Sequence, residues 1–186
     1  MRQACFLDRD GVINEPVYRG SGFASGSGKP QRYSAPHTHA EFKLLPRVRE
    51  ALDLLGQLGL VRILVTNQPD VAYGNLSPED HERIMAETAA LPLDDIYVCP
   101  HGWNDGCSCK KPKPGMLLAA AQKLDLDLAG SFIVGDTDSD IKAGEAAGCR
   151  TVLVRTDYNR GIRTDFYADD LFGAAGLIQK LLKGGK

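Results

Sequence analysis

Acidic residues follow two short apolar runs of this chain, at points where buried strands would end. Asp8 and Asp10 come directly after the first run, and Asp136 comes directly after the fourth, with Asp140 one helical turn further on. Like charges in one small site repel each other unless a cation lies between them or one carboxyl group holds a proton. Mg²⁺ prefers oxygen ligands, so this pattern favours a magnesium site. An acidic turn after a strand would explain Asp8 and Asp10 equally well if they stood alone.

Neutral donors and lysines stand at two further positions that suit the binding of a phosphate group. Thr66, Asn67 and Gln68 follow another apolar run, where such side chains either bind phosphate oxygens or form an ordinary turn. Lys110 and Lys111 precede a helix-like segment. A lysine can meet a phosphate as a point charge, and a solvated basic turn would explain this pair equally well.

Three cysteines and one histidine crowd into the segment 99–109. Cys99 and His101 form a C-x-H pair, and Cys107 and Cys109 form a C-x-C pair. Such clustering outside a secreted protein favours a metal over a disulfide, and a tetrahedral site with one nitrogen and three sulfur ligands selects Zn²⁺. Because four protein ligands leave no position for substrate or water, we expect a structural zinc loop.

The elements that must position these residues alternate between strand-like and helix-like segments. Apolar, often β-branched runs suit strands buried on both faces of a sheet, and the amphipathic stretches between them suit helices. This alternation predicts an α/β fold, a Rossmann-like three-layer sandwich with a mostly parallel sheet. Ligands of such sheets bind beyond the carboxyl ends of the strands, where the candidate residues stand. The predicted strands are 3–7, 61–66, 95–99, 131–134 and 151–154, and the predicted helices are 47–58, 114–124, 138–147, 169–182 and one that starts at Pro78 after the N-cap Ser77.

Length and composition predict a single domain spanning 1–186. The 186 residues are 43% hydrophobic and 25% charged, which excludes wholesale disorder, and a net charge of −2 excludes the broad basic face of a general nucleic-acid binder. No apolar run approaches the roughly 18 to 20 residues of a membrane span, and the N-terminus lacks the pattern of a signal peptide. We therefore expect a cytoplasmic protein with no membrane partner. The segment 17–41, rich in Gly, Ser, Pro and Lys, predicts a flap or an active-site insert loop.

The ordered motifs D-x-D-G-V, T-N, K-P and G-D-x-x-x-D resemble those of the haloacid dehalogenase superfamily of phosphatases. The resemblance implies that Asp8 is the nucleophile and forms an aspartyl-phosphate. It implies that Asp10 protonates the leaving oxygen and later activates water. Thr66 would hydrogen-bond the transferring phosphoryl group, and Lys111 would hold Asp8 and the phosphate. The side chains of Asp8 and Asp136 and the backbone carbonyl of Asp10 would bind Mg²⁺.

The predicted zinc loop and the residues that follow it resemble one group of phosphatases within this superfamily. The run C-x-H…C-x-C-x-K-P-x-P-G-M, with F-L-D-R-D-G-V-I-N and V-T-N-Q, is similar to that of the D-glycero-D-manno-heptose 1,7-bisphosphate phosphatases, whose cap domain is reduced to loops. The related histidinol-phosphate phosphatases share the zinc loop. The chain departs from the heptose group at Lys110, where that group usually has arginine, and at Pro69, Asp70 and Tyr73. Lysine and arginine are not equivalent for bidentate phosphate binding, which leaves recognition of a second phosphate open.

The resemblance implies a Mg²⁺-dependent phosphatase that acts on a small sugar phosphate, with heptose 1,7-bisphosphate hydrolysed at C7 as the leading substrate. Asn67 and Lys110 are the expected substrate-binding residues. One of Arg155, Asn159 and Arg160, which follow the last predicted strand, is a further candidate to touch the substrate. A histidinol-phosphate phosphatase is the alternative enzyme. A zinc-stabilised binding protein without catalysis is the alternative from a different class. We expect a monomer whose partner is a phosphorylated small molecule.

Overall fold

The structure of the chain, a computed structural model, describes residues 1–20 and 32–184. The middle of the predicted insert at 17–41 therefore lies outside the described residues, whereas both of its ends are described. The elements in chain order are β1 (Ala4–Leu7), β2 (Val17–Tyr18), β3 (Tyr33–Ser34), α1 (Val48–Gln57), β4 (Val61–Asn67), α2 (Pro78–Ala89), β5 (Asp95–Cys99), α3 (Gly115–Leu124), β6 (Phe132–Gly135), α4 (Asp138–Ala147), β7 (Arg150–Val154), β8 (Phe166–Ala168) and α5 (Leu171–Gly184).

Six strands form one parallel sheet in the order β5-β4-β1-β6-β7-β8. Strands β4 and β5 lie on one side of the central β1, and β6, β7 and β8 lie on its other side. The connections of β1 and β6 therefore run in opposite directions. Ligands of open α/β sheets bind at such a switch point, outside the carboxyl ends of the strands.

Helices cover both faces of the sheet. Leu7 packs in the core cluster that contains α1 and α5, whereas its neighbour Phe6 packs in the cluster that contains α3 and α4. Adjacent strand residues point to opposite faces, so a strand buried on both sides must be apolar at every position. The predicted three-layer sandwich with a mostly parallel sheet is confirmed. No helix within the described ranges is both long enough and apolar enough to cross a membrane.

The local signals place the helices close to their predicted positions. Val48, Leu52 and Leu55 are buried along one face of α1, as its periodicity predicts. The Ser77 side chain accepts a hydrogen bond from the backbone N–H of Asp80 (3.1 Å), which makes Ser77 the N-cap of α2. The three-residue β8 and the two-residue β2 and β3 were not predicted, because so few residues give no periodicity to detect.

Helix α4 lies directly on the sheet at Gly144. A Cβ atom there would overlap Ile133 Cγ2 of β6 and lie 3.0 Å from Thr151 Cγ2 of β7. We expect Gly144→Ala to lower the free energy of unfolding by roughly 1–3 kcal/mol, because overpacking outweighs the gain of about 1 kcal/mol in helix propensity. Urea unfolding of the two proteins measures the difference.

Gly176 of α5 is the matched control, since no heavy atom lies within 4 Å of a Cβ built there. Gly176→Ala is expected to be neutral or to stabilise by up to about 1 kcal/mol. If Gly144→Ala and Gly176→Ala unfold at the same urea concentration, the close approach of α4 to the sheet does not require glycine at position 144.

The described ends of the insert form an arm, defined here as residues 17–20 and 32–41. Strands β2 and β3 pair antiparallel, with Val17 opposite Ser34. Arg19 binds Glu41 through two hydrogen bonds, of 2.7 Å from Nη1 and 2.6 Å from Nη2. These hydrogen bonds hold the pKa of Glu41 at about 2, so the pair stays ionised near neutral pH. The ends of the arm are therefore fixed to one another.

Candidate active site

Three buried carboxylates meet at the switch point of the sheet. Asp8 follows β1 and Asp136 follows β6, and the two acids lie side by side because Leu7 and Val134 pair in register. Asp140 reaches them from the first turn of α4. One carboxylate oxygen of each acid lies within 4.8 Å of the others. The structure thus brings together the acids that follow the first and fourth predicted strands.

Lys111 lies among these carboxylates. Its Nζ is 2.8 Å from Asp8 Oδ1 and also contacts Asp140 Oδ1. Burial acts to lower the pKa of Lys111, but the charges of Asp140 and Asp8 outweigh burial and raise it, so the amine stays protonated. The Asn67 side chain fixes the backbone of Lys111, accepting from its N–H and donating to its carbonyl, each at 3.1 Å.

The cluster holds more negative charge than Lys111 can balance. Burial raises the pKa of Asp8 to about 7, and the Asp140 charge adds to the shift against the opposing effect of Lys111. Burial and the charges of Asp8 and Asp140 raise the pKa of Asp136 well above its ordinary value. Asp136 Oδ1 is buried and has no hydrogen-bond partner among the described residues. An unpartnered oxygen in an acidic cluster suits a divalent cation, so the residues fit Mg²⁺.

Two residues of the loop after β7 hold Asp136 in place. The Tyr158 hydroxyl donates to Asp136 Oδ2, and Asn159 Nδ2 donates to the backbone carbonyls of Asp136 (2.9 Å) and Val154 (2.7 Å). Burial and the neighbouring Asp136 raise the pKa of Tyr158, so its hydroxyl keeps its proton. Gly11 has a φ of +84°, and a Cβ atom at this position would overlap Asp136 Oδ2. Only glycine therefore fits the turn beside Asp136.

Asp10 is held by donor groups of three residues, Arg9, Asn14 and Gln68. Its Oδ1 accepts from Arg9 Nη2 and from Asn14 Nδ2, each at 3.0 Å, and its Oδ2 accepts from Gln68 Nε2 at 2.7 Å. Gln68 Nε2 also donates to the hydroxyl of Thr66 (2.9 Å). Arg9 and Gln68 are buried and are themselves joined, with Arg9 Nη2 donating to Gln68 Oε1 (2.7 Å). This network fixes the orientation of the Asp10 carboxyl group.

The cysteines and the histidine of the segment 99–109 also converge. Cys109 Sγ lies 3.2 Å from Cys99 Sγ and 3.3 Å from His101 Nδ1, and Cys99 Sγ lies 3.7 Å from Cys107 Sγ. Burial and the neighbouring Cys99 and Cys107 raise the pKa of Cys109 to about 12. Three thiolates can share so small a space only around a cation, and four sulfur and nitrogen ligands suit tetrahedral Zn²⁺. The donor set therefore fits zinc.

A cleft of about 510 Å³ opens over the carboxylates. Lys110 lines it, with its Nζ donating to the His101 carbonyl (2.8 Å) and lying 5.5 Å from the centre of the Trp103 ring. Arg32 and Tyr33 line it from the arm. The cleft therefore combines cationic and aromatic walls with the acidic cluster. The other lining residues are Asp8, Asp10, Pro16, Ser34, Ala35, Asn67, Pro69, Asp70, Tyr73, Lys111, Asp136, Thr137, Ser139 and Tyr158.

The predicted site residues take different places around this cleft. Asn67 lines it as expected of a substrate-binding residue, but its amide group is already bound to the backbone of Lys111. Thr66 is buried and is not among the described residues that line the cleft. Asn159 is buried against Asp136 rather than directed at a substrate.

Sequence reasoning gave no role to Arg9 or Tyr158, and it treated Gln68 only as one of three neutral donors after the second predicted strand, not as a partner of Asp10. Arg9 stands between Asp8 and Asp10, and Gln68 stands directly after Thr66 and Asn67, so the spacing of the motifs was the available signal. Tyr158 lies 22 residues from Asp136 in an irregular loop, where no periodic pattern indicates the contact.

The chain is similar to known proteins along most of its length. A family model described as HAD-hydrolase-like matches residues 108–172. The chain is 37% identical to D-glycero-beta-D-manno-heptose-1,7-bisphosphate 7-phosphatase of Vibrio cholerae, with 83% of this chain and 82% of the relative covered. The enzyme of the same name from Haemophilus influenzae is 33% identical, with 98% of this chain and 100% of the relative covered.

A solved structure shares the same architecture. It is D,D-heptose 1,7-bisphosphate phosphatase from B. bronchiseptica complexed with magnesium and phosphate, 31% identical, with a TM-score of 0.77 and coverage of 98% of this chain and 99% of that one. The resemblance drawn from the motifs is confirmed by these likenesses. The chain belongs to the D-glycero-D-manno-heptose-1,7-bisphosphate 7-phosphatase family of the haloacid dehalogenase-like phosphatases.

Proposed function

We propose that the chain is a Mg²⁺-dependent phosphatase that removes the C7 phosphate of D-glycero-D-manno-heptose 1,7-bisphosphate through an aspartyl-phosphate. The observation that carries the proposal is the position of Asp8, 2.8 Å from Lys111 and beside Asp136, in the acidic cluster over which the cleft opens. A nucleophile, a fixed cation and a metal-binding carboxylate are the parts that phosphoryl transfer needs.

Asp8 is proposed as the nucleophile. One oxygen of its carboxylate forms a bond to phosphorus while the bond from phosphorus to the ester oxygen breaks. Lys111 holds the Asp8 carboxylate and balances negative charge on the phosphoryl oxygens. We assign Thr66 as a further donor to these oxygens. Its side chain is buried outside the described lining of the cleft, so this role rests on the motif and on a hydroxyl that accepts from Gln68 and keeps its own hydrogen for donation.

Asp10 is proposed as the general acid and base. Its carboxyl group gives a proton to the leaving alkoxide, so the sugar departs as an alcohol. The resulting carboxylate then takes a proton from the water that attacks the aspartyl-phosphate, which releases inorganic phosphate and restores Asp8. Arg9, Asn14 and Gln68 keep this group in one orientation through both steps.

The residues proposed to hold Mg²⁺ are the side chains of Asp8 and Asp136 and the backbone carbonyl of Asp10. When bound, Mg²⁺ would screen the repulsion between the Asp8 carboxylate and the anionic phosphate. Asp140 contacts Lys111 through Oδ1 and accepts from the backbone N–H of Thr137 through Oδ2 (3.0 Å), so it orients the lysine rather than adding a further metal ligand.

The identity of the substrate rests on the relatives and is supported by the cleft. The Vibrio cholerae and Haemophilus influenzae relatives are named for a heptose bisphosphate. A volume of about 510 Å³ accommodates a sugar with two phosphates. We assign Lys110 and Arg32 to the phosphate that is not cleaved, and the ring of Trp103 to the sugar.

We further propose that Cys99, His101, Cys107 and Cys109 bind a structural Zn²⁺. With four protein ligands the ion has no position for substrate. Cys109 lies two residues before Lys111, so the ion would fix the backbone that delivers the lysine. We also propose that residues 1–186 act as one domain, as a cytoplasmic monomer.

A screen of phosphate release with Mg²⁺ tests this function. We expect kcat/KM for one anomer of D-glycero-D-manno-heptose 1,7-bisphosphate to exceed that for histidinol phosphate by at least about 100-fold, because the cationic groups beyond the cleavage site have an anion to bind only in the bisphosphate. Faster hydrolysis of histidinol phosphate would favour the alternative enzyme. A lack of release from these substrates and from p-nitrophenyl phosphate would favour the binding protein without catalysis.

A further inference from the structure

Tyr158 contacts Asp136, the proposed metal-binding carboxylate that has an oxygen without a hydrogen-bond partner among the described residues. Its hydroxyl donates to Asp136 Oδ2, while Asp136 Oδ1 is buried without a hydrogen-bond partner among the described residues. A carboxylate held through one oxygen has its other oxygen fixed in direction as well. One carboxylate oxygen of Asp136 lies within 4.8 Å of an oxygen of Asp8 and of an oxygen of Asp140. The tyrosine is thus placed to orient a metal ligand without binding the metal itself.

The ring of Tyr158 packs against the arm. Its centre lies 4.9 Å from that of Tyr33 at an interplanar angle of 43°, and Tyr33 packs edge-on against Tyr18 at 5.3 Å. Aromatic pairs at these distances stabilise the contact beyond the effect of their buried area. The pair of Arg19 and Glu41 fixes the ends of the arm to each other. A continuous series of contacts therefore runs from the arm through Tyr33 and Tyr158 to Asp136.

We propose that Tyr158 is a positioning residue for the divalent cation at Asp8 and Asp136, and that the packing of Tyr33 on Tyr158 makes docking of the arm and binding of the cation favour each other. The inference rests on the magnesium site of the proposed function. A ligand already held in the binding orientation loses less conformational freedom when the ion arrives, and Tyr33 restricts the motion of the ring that does the holding. By linkage, an occupied metal site then favours the docked arm to the same degree.

Calorimetric titration of the metal-free protein with MgCl₂, in the absence of substrate, tests this proposal. Tyr158→Phe keeps the ring and removes the donor, and we expect it to weaken Mg²⁺ binding about 10-fold or more. Tyr33→Leu keeps the donor and removes the aromatic packing, and we expect a loss of about 5-fold. The double variant should bind Mg²⁺ no more weakly than Tyr158→Phe alone, because the arm acts through the hydroxyl.

Tyr167→Phe is the matched control. Tyr167 is a partly exposed tyrosine nearby in the sequence, whose hydroxyl donates to the Ile162 carbonyl (3.0 Å), and its variant should bind Mg²⁺ like the wild type. The melting temperature of metal-free Tyr158→Phe should stay within about 4 °C of the wild type, which corresponds to about 1–2 kcal/mol. A larger fall would identify a merely structural tyrosine and overturn the proposal.

The remaining outcomes separate this proposal from the proposed function. Wild-type affinity in Tyr158→Phe overturns the positioning role while leaving the phosphatase function in place. Weak binding in Tyr158→Phe with wild-type affinity in Tyr33→Leu overturns the coupling to the arm. A wild-type protein that releases phosphate but binds no Mg²⁺ overturns both this proposal and the proposed cofactor.

Discussion

Replacing Asp8 with asparagine is expected to abolish phosphate release while leaving the fold intact. The amide is a poor nucleophile. Asp140 is the other described carboxylate that contacts Lys111, but it cannot replace Asp8 because its second oxygen accepts a hydrogen bond from the backbone N–H of Thr137. We expect kcat to fall by at least about 10³-fold, because removal of a nucleophile from a cooperating set can cost as much as about 10⁶. Phosphate release under single-turnover conditions with excess enzyme measures the chemical step directly.

The stability of this variant distinguishes loss of chemistry from loss of structure. Asp8 shares its surroundings with Asp136 and Asp140, so an uncharged side chain relieves repulsion that burial makes stronger. The metal-free Asp8→Asn protein should therefore melt at the wild-type temperature or above it. Its melting temperature should also respond less to added Mg²⁺, because one ligand of the proposed site is lost.

Asp138→Asn provides the matched control. Asp138 lies in the same segment as Asp136, but its side chain is exposed and paired with Lys142. The control should release phosphate at the wild-type rate, because Asp138 is paired with Lys142 and not with Asp8 or Lys111. It should also keep the wild-type melting temperature, since an exposed ion pair contributes little to stability. Equal activity in Asp8→Asn and Asp138→Asn would contradict the assignment of the nucleophile.

The sequence predicted the parts of the site that parallel strands place in register. Asp8 and Asp136 each follow an apolar run directly, and neighbouring parallel strands end at the same edge, so their convergence needed no knowledge of loops. Four of the five predicted strands were found because strands buried on both faces are largely apolar. The fifth, β5, lies at the edge of the sheet and is only partly buried, but its run Ile96–Cys99 is still apolar. The role of Lys111 was predicted from the K-P motif rather than from the periodicity of apolar residues.

The parts that depend on the path of irregular loops could not be predicted. Asn67 was assigned to the substrate, and no pattern in the sequence indicated that its amide also matches both backbone groups of Lys111, which approaches from 44 residues away. Tyr158 meets Asp136 only because the loop after β7 turns back over the site. The arm shows the same limit, because strands of two residues are defined by their partner and not by their own composition.

The proposed zinc loop differs in that its four candidate ligands are close in sequence, so the spacing alone indicated the cluster. Its effect on the active site depends on two contacts that only the structure provides. Lys110 Nζ donates to the backbone of His101 (2.8 Å), and the side chain of Asn67 holds the backbone of Lys111. The segment from His101 to Lys111 is therefore tied at the ligand cluster and again at the end of β4. If the proposed Zn²⁺ holds this cluster, its loss would release the first of these attachments.

Cys107→Ser is accordingly expected to lower both stability and activity. A serine hydroxyl is a poor zinc ligand, and structural zinc contributes directly to the free energy of folding. We expect the melting temperature to fall by about 10 °C, which corresponds to roughly 3–5 kcal/mol for a chain of this size. We expect kcat to fall about 10-fold, because Lys111 is less well aligned with Asp8. Calorimetry, steady-state kinetics and metal analysis of protein purified without added zinc measure these quantities.

Ser108→Ala separates loss of the ion from damage to the loop, since Ser108 is an exposed residue between Cys107 and Cys109. This control should retain about one zinc per chain, the wild-type melting temperature and the wild-type kcat, because it leaves all four ligands in place. If the wild type carries no zinc and Cys107→Ser has the same melting temperature as the wild type, a zinc ion at this cluster does not stabilise the fold. If Cys107→Ser loses the ion but keeps full activity, Asn67 alone suffices to position Lys111, and the zinc loop has no part in catalysis.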